Sequence, residues 1–163
     1  MNTLIYTILI LFVAVVIVQI IKIKFRKDKS GFPYRKKDYL LSVAEKEFYQ
    51  VLSTIAVKNN YLLFAKVRLE DLLWIPKHTS NRFGLRNRVK SRHVDFLLCD
   101  KNNIKPILVI ELDDSSHNME NGIKRDKFVN QVLHDAELPI LHQKVQQSYN
   151  PQELEDKISQ LLA

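Results

Sequence analysis

Eighteen consecutive residues from Leu4 to Ile21 carry no charge, and only Tyr6, Thr7 and Gln19 interrupt their apolar character. At about 1.5 Å per residue a helix of that length reaches roughly 27 Å, close to the hydrocarbon thickness of a bilayer. No face of it shows the polar period of a helix packed on a soluble core. A cleavable signal peptide is the competing reading, but no basic residue precedes Leu4 and no Ala-x-Ala-like site precedes Lys22. The pattern predicts a transmembrane anchor over residues 1–21, a basic linker over 22–39 and one α/β domain over 40–163.

Beyond residue 40 the apolar period changes repeatedly. Ser42 and Glu45 have the spacing of a capping box, and Val43, Phe48, Val51, Leu52 and Ile55 follow at a helical period. Asn59-Asn60 ends that helix, and Tyr61 to Val67 is β-prone. A short helical turn over Leu69–Trp74 stops before Pro76, and the segment after it, with Asn81, Gly84 and Asn87, reads as a long irregular connection. Trp74 and the phenylalanines read as core residues. Val94–Cys99 and Ile107–Leu112 flank the turn cluster Asp100-Lys101-Asn102-Asn103, which predicts an antiparallel hairpin of buried strands. A helix through Ile123, Phe128, Val129, Val132 and Leu133, a strand over Leu138–Leu141 and a helix opened by Asn150 and Pro151 complete a mixed sheet flanked by helices.

The net charge of +7 suggests nucleic acid, yet residues 22–38 hold eight bases and two acids and so account for +6 of it. That excess directly follows the apolar span, which predicts a single-pass membrane protein with its C-terminal domain in the cytoplasm and the basic segment against anionic headgroups. The one cysteine, Cys99, has no internal partner and reads as a buried hydrophobe. A local feature remains: Lys77, Arg82, Arg86, Arg88, Lys90 and Arg92 fall within 16 residues that contain no acid. Such a run can hold phosphates, and equally can be a solvated loop.

Two acids close apolar strands, where side chains stand beside each other. Glu111 follows four aliphatic residues directly, where a charge needs a buried partner or an ion; Asp95 reads equally as an acid that ends a strand near a turn or pairs with Arg92. Hairpin pairing brings the two together near one sheet edge, where separated carboxylates can share a hard cation.

The combination of Val94-Asp95-Phe96, Val109-Ile-Glu111-Leu-Asp113-Asp-x-x-His117, Arg125-Asp126 and Leu138-Pro-Ile-Leu141 resembles the restriction-endonuclease-like PD-(D/E)XK superfamily. It is nearest to the branch related to very short patch repair endonucleases and an uncharacterised bacterial domain family, and the likeness covers roughly residues 40–145. The resemblance implies a nuclease fold, hydrolysis of DNA phosphodiesters, and Mg2+ or Mn2+ held by Asp95 and Glu111. Magnesium takes a few oxygen ligands and keeps several waters, so the Leu112 main-chain carbonyl is the natural third ligand beside those two acids. Where that superfamily has a lysine two positions after the second acid, this chain has Asp113. His117, or Lys124 or Lys127 from the following helix, is expected to replace it, and Asp113 to serve the chemistry or a second shell. Glu45 and Asp126 match further acids of the superfamily, although a helix cap explains the first and a helix dipole the second. Two other readings remain: a nucleic-acid-binding module without catalysis, and a membrane-associated scaffold.

Overall fold

The computed structural model describes residues 2–26, 31–113 and 120–163, the side chains of 2, 25, 26 and 120–125 excepted. Two units result, Met1–Leu40 and Leu41–Ala163. The first contains helix α1 (Asn2–Arg26), whose stretch Thr3–Lys24 is long and apolar enough to cross a membrane. None of that stretch is buried by protein. The Thr7 hydroxyl donates to the Leu4 carbonyl at 2.8 Å, so its polarity is satisfied within the helix.

The second unit runs α2 (Val43–Lys58), β1 (Tyr61–Arg68), α3 (Leu69–Leu72), α4 (Arg82–Val89), β2 (His93–Asp100), β3 (Pro106–Asp113), α5 (Glu120–Asp135), β4 (Ile140–Lys144) and α6 (Pro151–Leu162). The strands form one sheet in sequence order, β1-β2-β3-β4; the first two pairings are antiparallel and β3–β4 is parallel. This is the mixed α/β sheet flanked by helices that the residue pattern predicts.

Both faces of the sheet are covered, which is why β2 and β3 are almost continuously apolar. On one face Phe48, Leu52, Ile55 and Ala56 of α2 and Leu154 and Ile158 of α6 meet Phe96, Leu98, Leu108, Ile110 and Leu141. Phe48 lies 5.5 Å from the Phe96 ring and edge-on to Tyr149 at 4.8 Å. On the other face Leu69, Val89, Leu133 and Leu138 close over Val94, Leu97, Cys99 and Val109. Among them, fully buried side chains such as Phe48, Leu52, Phe96, Ile110, Val94 and Leu133 each contribute about 1.5–3 kcal/mol of transfer free energy, which holds the sheet between the two layers.

Helix starts follow their sequence signals. Ser42 and Glu45 cap α2 reciprocally, and the Asn150 side chain accepts from the Gln152 and Glu153 amides ahead of α6. Val43, expected on the buried stripe, is exposed because it is the first residue of α2 and precedes the turn that meets the sheet.

The connection after Pro76 is a correction. Residues 82–89 form α4, although the segment has turn residues and no acid at its start. Tertiary contacts overcome that weak propensity: Val89 is buried, Arg86 pairs with Glu70 of α3, and Arg88 stacks 4.0 Å above the Phe128 ring. Trp74 and Phe83 are a second correction, being 81% and 77% exposed. The turn before Pro76 carries Trp74 off the sheet, and α4 turns Val89, not Phe83, inward.

Candidate functional site

Asp95 and Glu111 lie on the two central strands, not at a sheet edge as the hairpin alone suggests. Phe96 pairs with Ile110, and the next position along both strands brings Asp95 opposite Glu111. His142 of β4 is the register partner of Glu111 on the other side. One rung of the sheet therefore carries an aspartate, a glutamate and a histidine.

The backbone is unusual at that rung. Val94 packs with Leu97 and Cys99, whereas strict alternation would put it with Phe96 and Leu98. On β1, Lys66 has φ 56°, and the flanking pairs Ala65–Phe96 and Val67–Val94 keep register. Ala65 packs on the α2 side and Val67 on the opposite side. Both strands thus exchange faces across Lys66 and Asp95, and this frees the two side chains from the core alternation. A left-handed lysine costs on the order of 1–2 kcal/mol, so something at this position offsets it.

The offset is an ion-pair bridge. The Lys66 ammonium donates to Asp95 Oδ1 at 2.7 Å and to Glu45 Oε1, with all three side chains about four-fifths buried. Asp95 Oδ2 accepts the Leu112 amide at 3.1 Å, and Glu45 Oε2 accepts the Ser42 amide at 2.8 Å. Glu45 is therefore both the capping residue and a member of the cluster, since its two oxygens serve the two purposes. Arg92, the alternative partner for Asp95, instead donates to the Arg88 carbonyl at 2.8 Å and leans on Phe128.

The charges leave a deficit at Glu111. Burial, then the charge of Asp95 and a hydrogen bond with it, then Asp113, push the Glu111 carboxyl up to about 8, and Lys66 only partly opposes this. Burial acts in the same direction on Asp95, but the Lys66 ammonium and the Leu112 amide outweigh it and hold that carboxyl below its usual range. Facing carboxyls in this setting favour one shared proton over two full negative charges. On Lys66 burial acts the other way and tends to lower it, yet its bonds to Asp95 and Glu45 raise it, so it stays charged.

These groups line an open cavity of about 610 Å3, together with Ser42, Ser91, Arg92, His93, Leu112, Asp113, Asp126, Asn130 and His142. The His142 ring is fixed at both nitrogens: Nδ1 meets the Asp113 carboxylate at 3.1 Å and Nε2 meets Asn130 Oδ1 at 3.0 Å. Asp113 is thus occupied in holding a histidine, where the sequence pattern would have a lysine.

Of the residues expected at a site, Glu45, Asp95, Glu111, Leu112, Asp113, Asp126 and Arg92 are brought to this cavity. Lys127 is exposed on α5 and does not line it. His117 and the side chain of Lys124 lie outside the described residues. Lys77, Arg82, Arg86, Arg88 and Lys90 lie along and beside α4, outside the cavity lining. Lys66, His142 and Asn130 went unread in the sequence. Lys66 had a signal, being the one charge within the apolar run Tyr61–Val67; His142 had none beyond following Leu141 in a strand.

The donors around Asp95 and Glu111 are hard oxygens, and among the described residues no group of three or more His, Cys, Asp or Glu is arranged to hold a metal ion. An ion here would rest on two carboxylates, with water and main-chain carbonyl groups as its remaining ligands. Oxygen ligation with several retained waters is the habit of magnesium.

A mixed sheet with helices on both faces, and a carboxylate and lysine cluster opening into a cavity beside its central strands, defines an α/β domain with a polar cavity. The chain belongs to the family described as "protein of unknown function (DUF2726)", which matches residues 37–161. No curated protein and no solved structure matches it.

Proposed function

We propose that the domain is a metal-dependent phosphodiesterase acting on DNA, tethered to a membrane by α1 and facing the cytoplasm. The observation that carries this reading is the pair Asp95 and Glu111, face to face in an open cavity with less positive charge than their ionised forms require. The restriction-endonuclease-like pattern of the sequence agrees with it, and Lys66 supplies from β1 the cation that this pattern lacks at Asp113. The orientation rests on the basic residues that follow the apolar span.

Asp95 and Glu111 would hold Mg2+ or Mn2+, which when bound polarises a phosphoryl oxygen and lowers the pKa of coordinated water. The remaining work falls to the chain's own residues. Lys66 stays protonated between Glu45 and Asp95, fixing the Asp95 carboxylate and presenting positive charge to an incoming phosphate. His142, oriented by Asp113 and Asn130, is placed to donate or accept a proton at its Nε2 once Asn130 yields to substrate. Arg92, stacked on Phe128, offers its guanidinium at the cavity rim to a flanking phosphate.

The test is incubation of the full-length protein in detergent micelles with labelled single- and double-stranded DNA. Cleavage is expected with Mg2+ or Mn2+ and not with EDTA, and His142→Asn is expected to slow it by about 100-fold. DNA left intact under every divalent-ion condition counts against catalysis; salt-sensitive retention of that intact DNA would leave the binding-module reading in its place.

A further inference from the structure

Between residues 69 and 92 only two large hydrophobic side chains are exposed, and both are aromatic: Trp74 and Phe83. Their positions are linked, because the Arg82 guanidinium donates to the Ile75 carbonyl at 3.2 Å and so ties the turn bearing Trp74 to the start of α4 bearing Phe83. Basic residues flank them along the chain. Arg86 is partly neutralised by Glu70 and Arg88 is stacked on Phe128, while Lys77, Arg82 and Lys90 are exposed and make no ion pair with the described residues.

The surface leads somewhere. The chain runs from α4 through Lys90 directly into Ser91, Arg92 and His93, all three of which line the carboxylate cavity. Exposed π-faces between cations, continuous with a site for phosphodiesters, match a chain of phosphates whose bases are free to stack. A duplex keeps its base faces inside the helix and offers nothing for two rings to stack on. A lipid surface fits less well, since membrane-inserting faces carry aliphatic side chains beside their aromatics, and here none is exposed.

We propose that Trp74 and Phe83, with Lys77, Arg82 and Lys90, form a stacking platform for single-stranded nucleic acid, which continues over Ser91–His93 into the cavity. This deepens the phosphodiesterase reading and rests on it for the direction of the strand, but its binding step needs no catalysis.

Trp74 is the chain's only tryptophan, so intrinsic fluorescence reports on the platform directly. Full-length protein in zwitterionic detergent, with EDTA present, is titrated with oligothymidylate, with a duplex of equal length, and with vesicles of phosphatidylglycerol. Oligothymidylate is expected to quench the tryptophan emission and, by anisotropy of a labelled strand, to bind about tenfold or more tighter than the duplex. Trp74→Ala and Phe83→Ala are each expected to weaken strand binding by about tenfold, and Trp74→Phe to restore most of it. The salt dependence should be unchanged in all three variants, because no cation is removed. Unchanged emission with equal affinity for strand and duplex overturns the platform. So does an emission shift produced by vesicles and not by oligothymidylate, which would make the patch a lipid contact. Because the assay runs without divalent ions, binding with no cleavage under any ion keeps the platform and sinks the nuclease, whereas cleavage without strand preference does the reverse.

Discussion

Glu111→Gln is expected to raise the melting temperature of the metal-free protein by about 5 °C or more at pH 8.5, and by far less at pH 5. The direction follows from where the proton sits. Burial and the facing Asp95 raise the folded-state pKa of Glu111 to about 8, from an ordinary 4.5. The folded chain therefore holds a proton that the unfolded chain releases, and stability falls as pH rises from the unfolded value through 8. Below that window the acid is neutral in both states and contributes no penalty; above it the folded state carries two facing carboxylates. Glutamine keeps the shape and removes the charge. Millimolar Mn2+ is expected to stabilise the unaltered protein thermally, and the same variant to lose that effect, since a bound ion would neutralise the charge that glutamine has removed. Circular-dichroism melts at the two pH values, with and without Mn2+, check both statements. An equal loss of stability at both pH values would mean that Glu111 is held by partners in its ionised form.

Lys66→Met acts on the same cluster with the opposite sign. Removing the ammonium leaves Glu45 and Asp95 about four-fifths buried without their shared cation, in a backbone position that methionine tolerates no better than lysine. A loss of about 2 kcal/mol is expected in chemical denaturation without metal, because charges stranded by the removal of a partner cost more than the pair contributed. Divalent ions should then stabilise the variant more than the unaltered chain, as they enter a cluster with one positive charge fewer. Cleavage should nevertheless fall by 100-fold or more, since lysine is the group proposed to meet the phosphate in this cluster. Rescue of folding by Mn2+ together with loss of cutting separates this arrangement from a purely structural salt bridge, for which both would recover.

How far the sequence led is clearest along β2 and β3. The aliphatic runs, the turn at Asp100–Asn103 and the acids at 95 and 111 made the hairpin and its acidic pair readable, because pairing register follows from apolar alternation and turn length. The same alternation concealed the centre of the site. At Lys66 and Asp95 the strands change faces, a tertiary event with no local signature, so the lysine that bonds Asp95 went unread in an apolar run while lysines of α5 were considered in its place. His142 was hidden for another reason: its partners Asp113 and Asn130 come from β3 and α5, and only parallel pairing of β3 with β4 brings the three together. The helix at 82–89 shows the limit of propensity, as the burial of Val89 and the pairing of Arg86 with Glu70 order a segment whose composition favours a loop. The apolar span at the N-terminus needed no partner to be read, since length and uniform hydrophobicity alone make it long enough to cross a membrane.

Counting Mn2+ on the protein by electron paramagnetic resonance of the free aqua ion tests the proposed ion site most directly. One ion per chain is expected at neutral pH, with affinity reduced at least tenfold by Asp95→Asn while the circular-dichroism spectrum stays the same. Binding unaffected by that substitution, or no bound ion at millimolar Mn2+, would contradict a divalent-cation centre at Asp95 and Glu111 and leave Lys66 as the only cation the cluster accepts.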